Sequence, residues 1–251
     1  MNINDTLRIV IVGHVDHGKS TLIGRLFYDT GSLPEERYRE IEATCRAQGR
    51  AFEFAYLMDA LEEEREHNIT IDTAQTFFKT PLRPYIIIDA PGHKEFLKNM
   101  ITGAAAADAA ILLVDAAEGV LEQTRRHAYM LSLLGLRQVV VAVNKLDLVD
   151  FRRDRFEAVE EEIRGFLLSV GLVPAHVVPI SAREGDNIAT PSERTAWYSG
   201  PPSLAPSTPF PPPGRSPGCR SGSRFRTSTW ETGGGSTRGA WSPVACVPEA
   251  A

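Results

Sequence analysis

Five uninterrupted apolar runs set the limits on how this chain can fold. They read LRIVIVG (residues 7–13), YIIIDA (85–90), AAILLVDA (109–116), QVVVAVNK (138–145) and HVVPIS (176–181). A strand that is apolar at nearly every position is covered on both faces, the condition of a parallel sheet sandwiched between helices. TIDTAQTFFKT (70–80) instead alternates apolar and polar residues and predicts a half-exposed edge strand. Between the runs, KSTLIGRLFYD (19–29), EFLKNMITGAAAA (95–107), QTRRHAYMLSLLG (123–135) and RDRFEAVEEEIRGFLLSVG (153–171) carry helical spacing. Glycine stands near several of their ends, as expected for helix termination. The pattern predicts an α/β fold, a mostly parallel sheet with helices on both faces. Ligands on such sheets bind outside the carboxyl ends of the strands, so the loops after the runs are where chemistry is sought.

Bulk composition narrows the classes. The chain of 251 residues is 43% hydrophobic and 24% charged, ordinary values for a soluble globular protein. Its net charge of -5 argues weakly against a dedicated nucleic-acid binder, which usually shows a basic face, and no DNA partner is expected. Three widely spaced cysteines, Cys45, Cys219 and Cys246, suggest neither a disulfide framework nor a zinc site. Cys45 reads as an ordinary core or helix-surface thiol. The opening MNINDTLRIVIVG lacks the basic segment and cleavage site of a signal peptide, and no apolar run approaches the length of a membrane span. A cytoplasmic protein without membrane contact is expected.

The loop after the first run reads GHVDHGKST and fits G-x-x-x-x-G-K-[ST] between a buried strand and a helix. Gly13 and Gly18 allow a tight turn, so that the backbone N–H groups of His14, Val15, Asp16, His17 and their neighbours face phosphate oxygens. Lys19 supplies positive charge for the β- and γ-phosphates, the Ser20 hydroxyl is a hard oxygen ligand for Mg2+, and Thr21 completes the segment. The phosphate loop explains HVDH better than a metal site does. After the second run comes DAPGH, with Asp89 suited to hold Mg2+ through water and Gly92 allowing a main-chain N–H close to a γ-phosphate. His93 stands where a residue that positions the attacking water is needed. NKLD ends the fourth run. The Asp147 carboxylate can accept both the N1–H and N2–H donors of guanine, a pair that adenine lacks. Asn144 can either bond the purine edge or tie the loop down, and the Lys145 stem can lie over the ring. Ser181 and the Ala182 N–H, after the last run, are expected near the guanine carbonyl. Finally, in EREHNITID, Thr70 can offer a hydroxyl to Mg2+ and its N–H to a γ-phosphate, which makes its segment a switch.

These five elements, in their order along the chain (GHVDHGKST, NITID, DAPGH, NKLD, ISA), resemble the G domain of the translation-type, Tu-like GTPases across roughly residues 7–190. The resemblance implies a P-loop fold that binds GTP and GDP with Mg2+ and hydrolyses GTP, with His93, Lys19 and Thr70 in the catalytic apparatus. It also implies an apolar gate flanking His93, formed by Val15 and Ile69. Where the family usually has Gly, this chain has Asn68, which tolerates a left-handed backbone better than most residues. Within the group, EEEREHNITIDTAQTFFKT, the QTRRH segment and EGDNIATPSERTAWYSGP look like the GTPase subunit of sulfate adenylyltransferase. That reading implies a small catalytic subunit as partner and coupling of GTP hydrolysis to adenosine 5′-phosphosulfate synthesis. The alternative is a Tu-like elongation factor that delivers aminoacyl-tRNA.

The domain organisation reads as a G domain over residues 1–200 and a tail over 201–251. The tail holds 10 of the 17 prolines and 7 of the 20 glycines and has no apolar period, which predicts disorder. The family pattern stops after Pro201, where an amphipathic closing helix and β-barrel domains are expected. With codons chosen to suit, one change of reading frame turns residues 222–230 and two other tail segments into strings that resemble the family. The tail is therefore expected to be out of frame, and a chain without the closing helix is expected to fold poorly.

Overall fold

The computed structural model describes residues 6–33, 35–47, 49, 52–56, 75–79, 83–89 and 107–202. The first strand, β1 (Leu7–Gly13), leads into α1 (Lys19–Asp29), which is followed by α2 (Glu35–Ala47). Next come β2 (Gln75–Lys79), β3 (Pro84–Asp89), β4 (Ala109–Asp115) and α3 (Glu122–Leu133). β5 (Val139–Asn144) runs into a short 3-10 turn at Leu146–Val149, then α4 (Arg153–Ser169) and β6 (His176–Pro179). All but the last residue of the expected helix over 95–107, and the tail from 203 onward, lie outside the described residues.

The six strands form one sheet in the order β2-β3-β1-β4-β5-β6. Every pairing is parallel except β2 with β3, so the alternating segment is the antiparallel edge strand. Its period is visible in burial: Phe77 is exposed while Phe78 is buried against the first core layer. Successive side chains of the inner strands enter opposite layers, as the pleat requires. Leu7, Ile9 and Ile11 of β1 join Leu22, Ile23 and Leu26 of α1 with Ile41 and Cys45 of α2. Val10 and Val12 join Ala128 and Leu131 of α3 with Phe156, Val159, Ile163 and Leu167 of α4. A sheet that packs helices on both faces therefore explains why the strand runs are apolar throughout. Each fully buried Leu, Ile or Phe contributes about 1.5–3 kcal/mol relative to exposure.

Two elements differ from the sequence expectation. Helix α2 was not predicted, because its apolar face is thin: Ile41 and Cys45 are its buried hydrophobic residues, and Glu35–Arg39 and Glu42–Arg46 pairs decorate its exposed side. The last strand stops at Pro179, and Ser181 lies beyond it in an isolated bridge to Asp186. After β6, Asn187 holds residues 187–195 by donating to Pro179 O and Thr195 Oγ1, both at 2.7 Å, and accepting from Ser192 N at 2.8 Å. Trp197 and Tyr198 then pack beside Phe156. Burial pushes the Tyr198 phenol up to about 12, and its hydroxyl donates to Pro201 O. Among the described residues no helix is long and apolar enough to cross a membrane.

Strand order reverses at β1: the chain leaves it toward β3 on one side and returns to β4 on the other. In open α/β sheets, a crevice opens outside the carboxyl ends of the strands at such a reversal. The loops after β1, β4, β5 and β6 all converge there.

Candidate nucleotide site

The phosphate loop is built by backbone conformation. Gly18 lies in the left-handed region (φ 88°) and immediately precedes α1. A side chain there would be strained, and its Cβ would sit 2.6 Å from Asn144 Nδ2. Asp16 is also left-handed, with φ 66°. Helix α1 has neither a side-chain cap nor an acidic residue in its first turn. Its N-terminal dipole and amides therefore suit an anionic ligand. Lys19 folds its amine back over the loop and donates to Gly13 O at 3.0 Å and His14 O at 3.1 Å. Ser20 and Thr21 are half-buried in the first turn of α1, and Val15 stands exposed at the rim.

His17 is buried beneath this loop. Its Nδ1 lies 3.4 Å from Leu113 O and its Nε2 lies 3.3 Å from a Glu118 carboxylate oxygen, and its ring meets His14 edge to face. Burial lowers the His17 pKa, although Leu113 and Glu118 oppose the shift. His127, on α3, is lowered further, to about 4, first by burial and then by the charges of Lys19, His14 and His17. In the unfolded chain a histidine takes up its proton near pH 6.5. Between pH 6.5 and 4 the unfolded state thus binds the extra proton, and stability falls as pH falls through that window. The loss from His127 should reach roughly 3 kcal/mol. Thermal unfolding of the wild-type and His127→Gln chains from pH 7 to 4 checks this; the substituted chain should show a shallower decline.

Asn144, at the end of β5, is 2% exposed and ties three loops together. Its Nδ2 donates to His17 O at 2.8 Å, and its Oδ1 accepts from Ala182 N at 2.9 Å. Of the two roles open to Asn144 in the sequence, this geometry serves the tying of loops. The Ala182 N–H, expected to face a guanine carbonyl, is engaged by Asn144 instead, although Ala182 still lines the cavity. Asp147 accepts from Ser181 Oγ at 2.7 Å, so the serine orients the carboxylate. Lys145, left-handed at φ 64°, places its amine 2.8 Å from Asp115.

Asp115 is a site residue that motif reading missed. It ends β4 as Asp89 ends β3, and it is 2% exposed. Burial raises its pKa, but the Lys145 amine and the N–H groups of Ala117 and Glu118 outweigh that and hold the carboxyl below its usual range. The pair fixes the Lys145 stem, which lines a cavity of about 350 Å³. Gly18, Thr21, Asn144, Asp147 and Ala182 share that cavity, so the loop before α1 and the loops after β5 and β6 enclose one space. Asp89 lies at the carboxyl end of β3, in register with Ile11 of β1. Thr70, Ile69, Gly92 and His93 lie outside the described residues.

The model of the elongation factor Tu GTP binding domain matches residues 4–203. The chain belongs to the elongation factor Tu GTP binding domain family. Elongation factor 1-alpha of Pyrococcus furiosus is 50% identical over 195 residues, covering 78% of this chain and 45% of that protein. Elongation factor 1-alpha of Thermococcus onnurineus is 49% identical over the same length, with the same shares. The chain thus spans about half the length of the curated relatives it matches. Among solved structures, Sup35 complexed with GDP has a TM-score of 0.56 and 26% identity, covering 80% of this chain and 43% of that one. Bacterial selenocysteine-specific elongation factor EF-Sec has a TM-score of 0.50 and 30% identity, covering 71% and 26%.

Proposed function

We propose that the chain binds GTP and GDP with Mg2+ and hydrolyses GTP, as the G domain of a translation factor of the elongation factor 1-alpha kind. The observation that carries the reading is the single cavity shared by the phosphate loop and Asp147, with Asn144 bonded to both His17 and Ala182. In this reading Asp147 accepts from the guanine edge, and the uncapped N-terminus of α1 receives the phosphates. Lys19 exchanges a loop carbonyl for a phosphate oxygen. Ser20, Thr70 and Asp89 hold Mg2+, which supplies charge neutralisation at the β- and γ-phosphates. His93 positions the attacking water, between Val15 and Ile69.

The elongation factor relatives support aminoacyl-tRNA as partner over the small catalytic subunit of sulfate adenylyltransferase. The sulfate reading rests on three sequence segments, EEEREHNITIDTAQTFFKT, QTRRH with its neighbours, and EGDNIATPSERTAWYSGP. Single-turnover GTP hydrolysis tests the chemistry: His93→Ala should slow it about a hundredfold or more while leaving GTP affinity nearly intact, because water positioning acts in the transition state. Equal losses in rate and affinity would make His93 structural. In the same series, retention of aminoacyl-tRNA with GTP supports the elongation reading. Sulfate-dependent pyrophosphate release with a small adenylyl-transferring subunit would reverse the choice.

A further inference from the structure

We propose that residues 52–54 form an additional wall of the nucleoside pocket, and that Arg25 rivets this wall to the loop carrying Arg183. The inference rests on the guanine-nucleotide reading above. Phe52, Glu53 and Phe54 border the same cavity as Asn144 and Asp147, although no motif in the sequence marks them.

The wall is firmly built. The rings of Phe52 and Phe54 meet edge to face at 5.1 Å, and Phe52 meets Tyr38 at 5.0 Å. Tyr38 meets Tyr28 at 4.9 Å and Tyr28 returns to Phe54 at 5.6 Å, so four rings form a closed circuit between α1, α2 and the wall. The backbone of Phe54 is seated directly on α1: a Cβ on Gly24 would come within 2.3 Å of Phe54 O. Only glycine permits that approach.

Arg25 is placed to hold two sides of the cavity at once. Its guanidinium carbon lies 5.2 Å from the centre of the Phe54 ring and 5.7 Å from that of Tyr28. The same group donates to Asp29 Oδ1 at 2.8 Å and reaches Arg183 O at 3.5 Å. Arg183 and Phe54 both line the cavity. A cation stacked on an aromatic face and bonded to a carbonyl has little freedom to move. Arg25 therefore couples the aromatic wall to the loop that follows Ser181 and Ala182. A nucleoside in this space would lose water on the side of the wall, and its polar contacts to Asp147 would strengthen in the drier surroundings.

The test uses the full chain and unlabelled GDP, GTP and ATP, measured by titration calorimetry. Phe54→Ala should raise the dissociation constants of GDP and GTP by the same factor, about tenfold, without changing the preference for GTP over ATP that Asp147 sets. Phe54→Leu should recover part of the loss, and Arg25→Met should reproduce part of it. A Phe52→Trp chain provides a second readout that does not depend on the folding of Phe54→Ala, and its indole fluorescence should change saturably as GDP is added. Unaltered GDP affinity in Phe54→Ala, or a flat Phe52→Trp signal while GDP binds, overturns the wall and leaves the nucleotide reading standing. Absence of guanine-nucleotide binding by the unsubstituted chain overturns both.

Discussion

Replacing Asn144 by Ala should abolish useful nucleotide binding and destabilise the fold together. The side chain is buried and both of its polar ends are used, Nδ2 on His17 O and Oδ1 on Ala182 N. Truncation strands a buried acceptor and a buried donor, each costing about 1–3 kcal/mol. The sum, roughly 2–6 kcal/mol, is a large part of a typical net stability of about 5–15 kcal/mol. The same two bonds join the phosphate loop to the loop after β6, so their loss should raise the GDP dissociation constant by about a hundredfold or more. Asn144→Asp keeps an acceptor for Ala182 N but turns a donor into an acceptor facing His17 O, and should be nearly as damaging. Thermal unfolding and GDP calorimetry on both variants check the result. Near-native affinity in Asn144→Ala would show that the phosphate loop holds its shape without the tie.

Asp147→Asn should transfer preference from guanine toward xanthine nucleotides. Ser181 fixes one carboxylate oxygen of Asp147 at 2.7 Å, and the residue borders the cavity. Hydrogen bonds to a charged acceptor are worth about 1.5–3 kcal/mol each, so losing the pair corresponds to roughly 10²–10⁴ in GTP affinity. An amide offers a donor where the carboxylate offered an acceptor, which suits xanthine, whose C2 carries an oxygen. Competition binding among GTP, ATP and XTP measures both the loss and the gain. If ATP competes as well as GTP against the unsubstituted chain, the assignment of Asp147 to the base is wrong.

Sequence alone was enough for the sheet, because burial on both faces forces every position of a central strand to be apolar and leaves a continuous run. It was enough for the phosphate loop as well, since Gly18 and the helix that starts at Lys19 are local backbone events. Helix α2 was illegible: a helix that buries little beyond Ile41 and Cys45 leaves almost no period to read. The partners of site residues were illegible for a different reason. Asn144 bonds His17 across 127 positions and Ala182 across 38, and nothing local in the sequence states which of its possible roles is taken. Asp115 likewise gains its meaning from Lys145, a neighbour only because β4 and β5 pair in parallel with Asp115 opposite Asn144. Which residue types stand at the strand ends is written in the order of amino acids. Which of them touch is set by the assembled sheet, because the choice of partner depends on how the strands order and on what else must be satisfied once water is excluded.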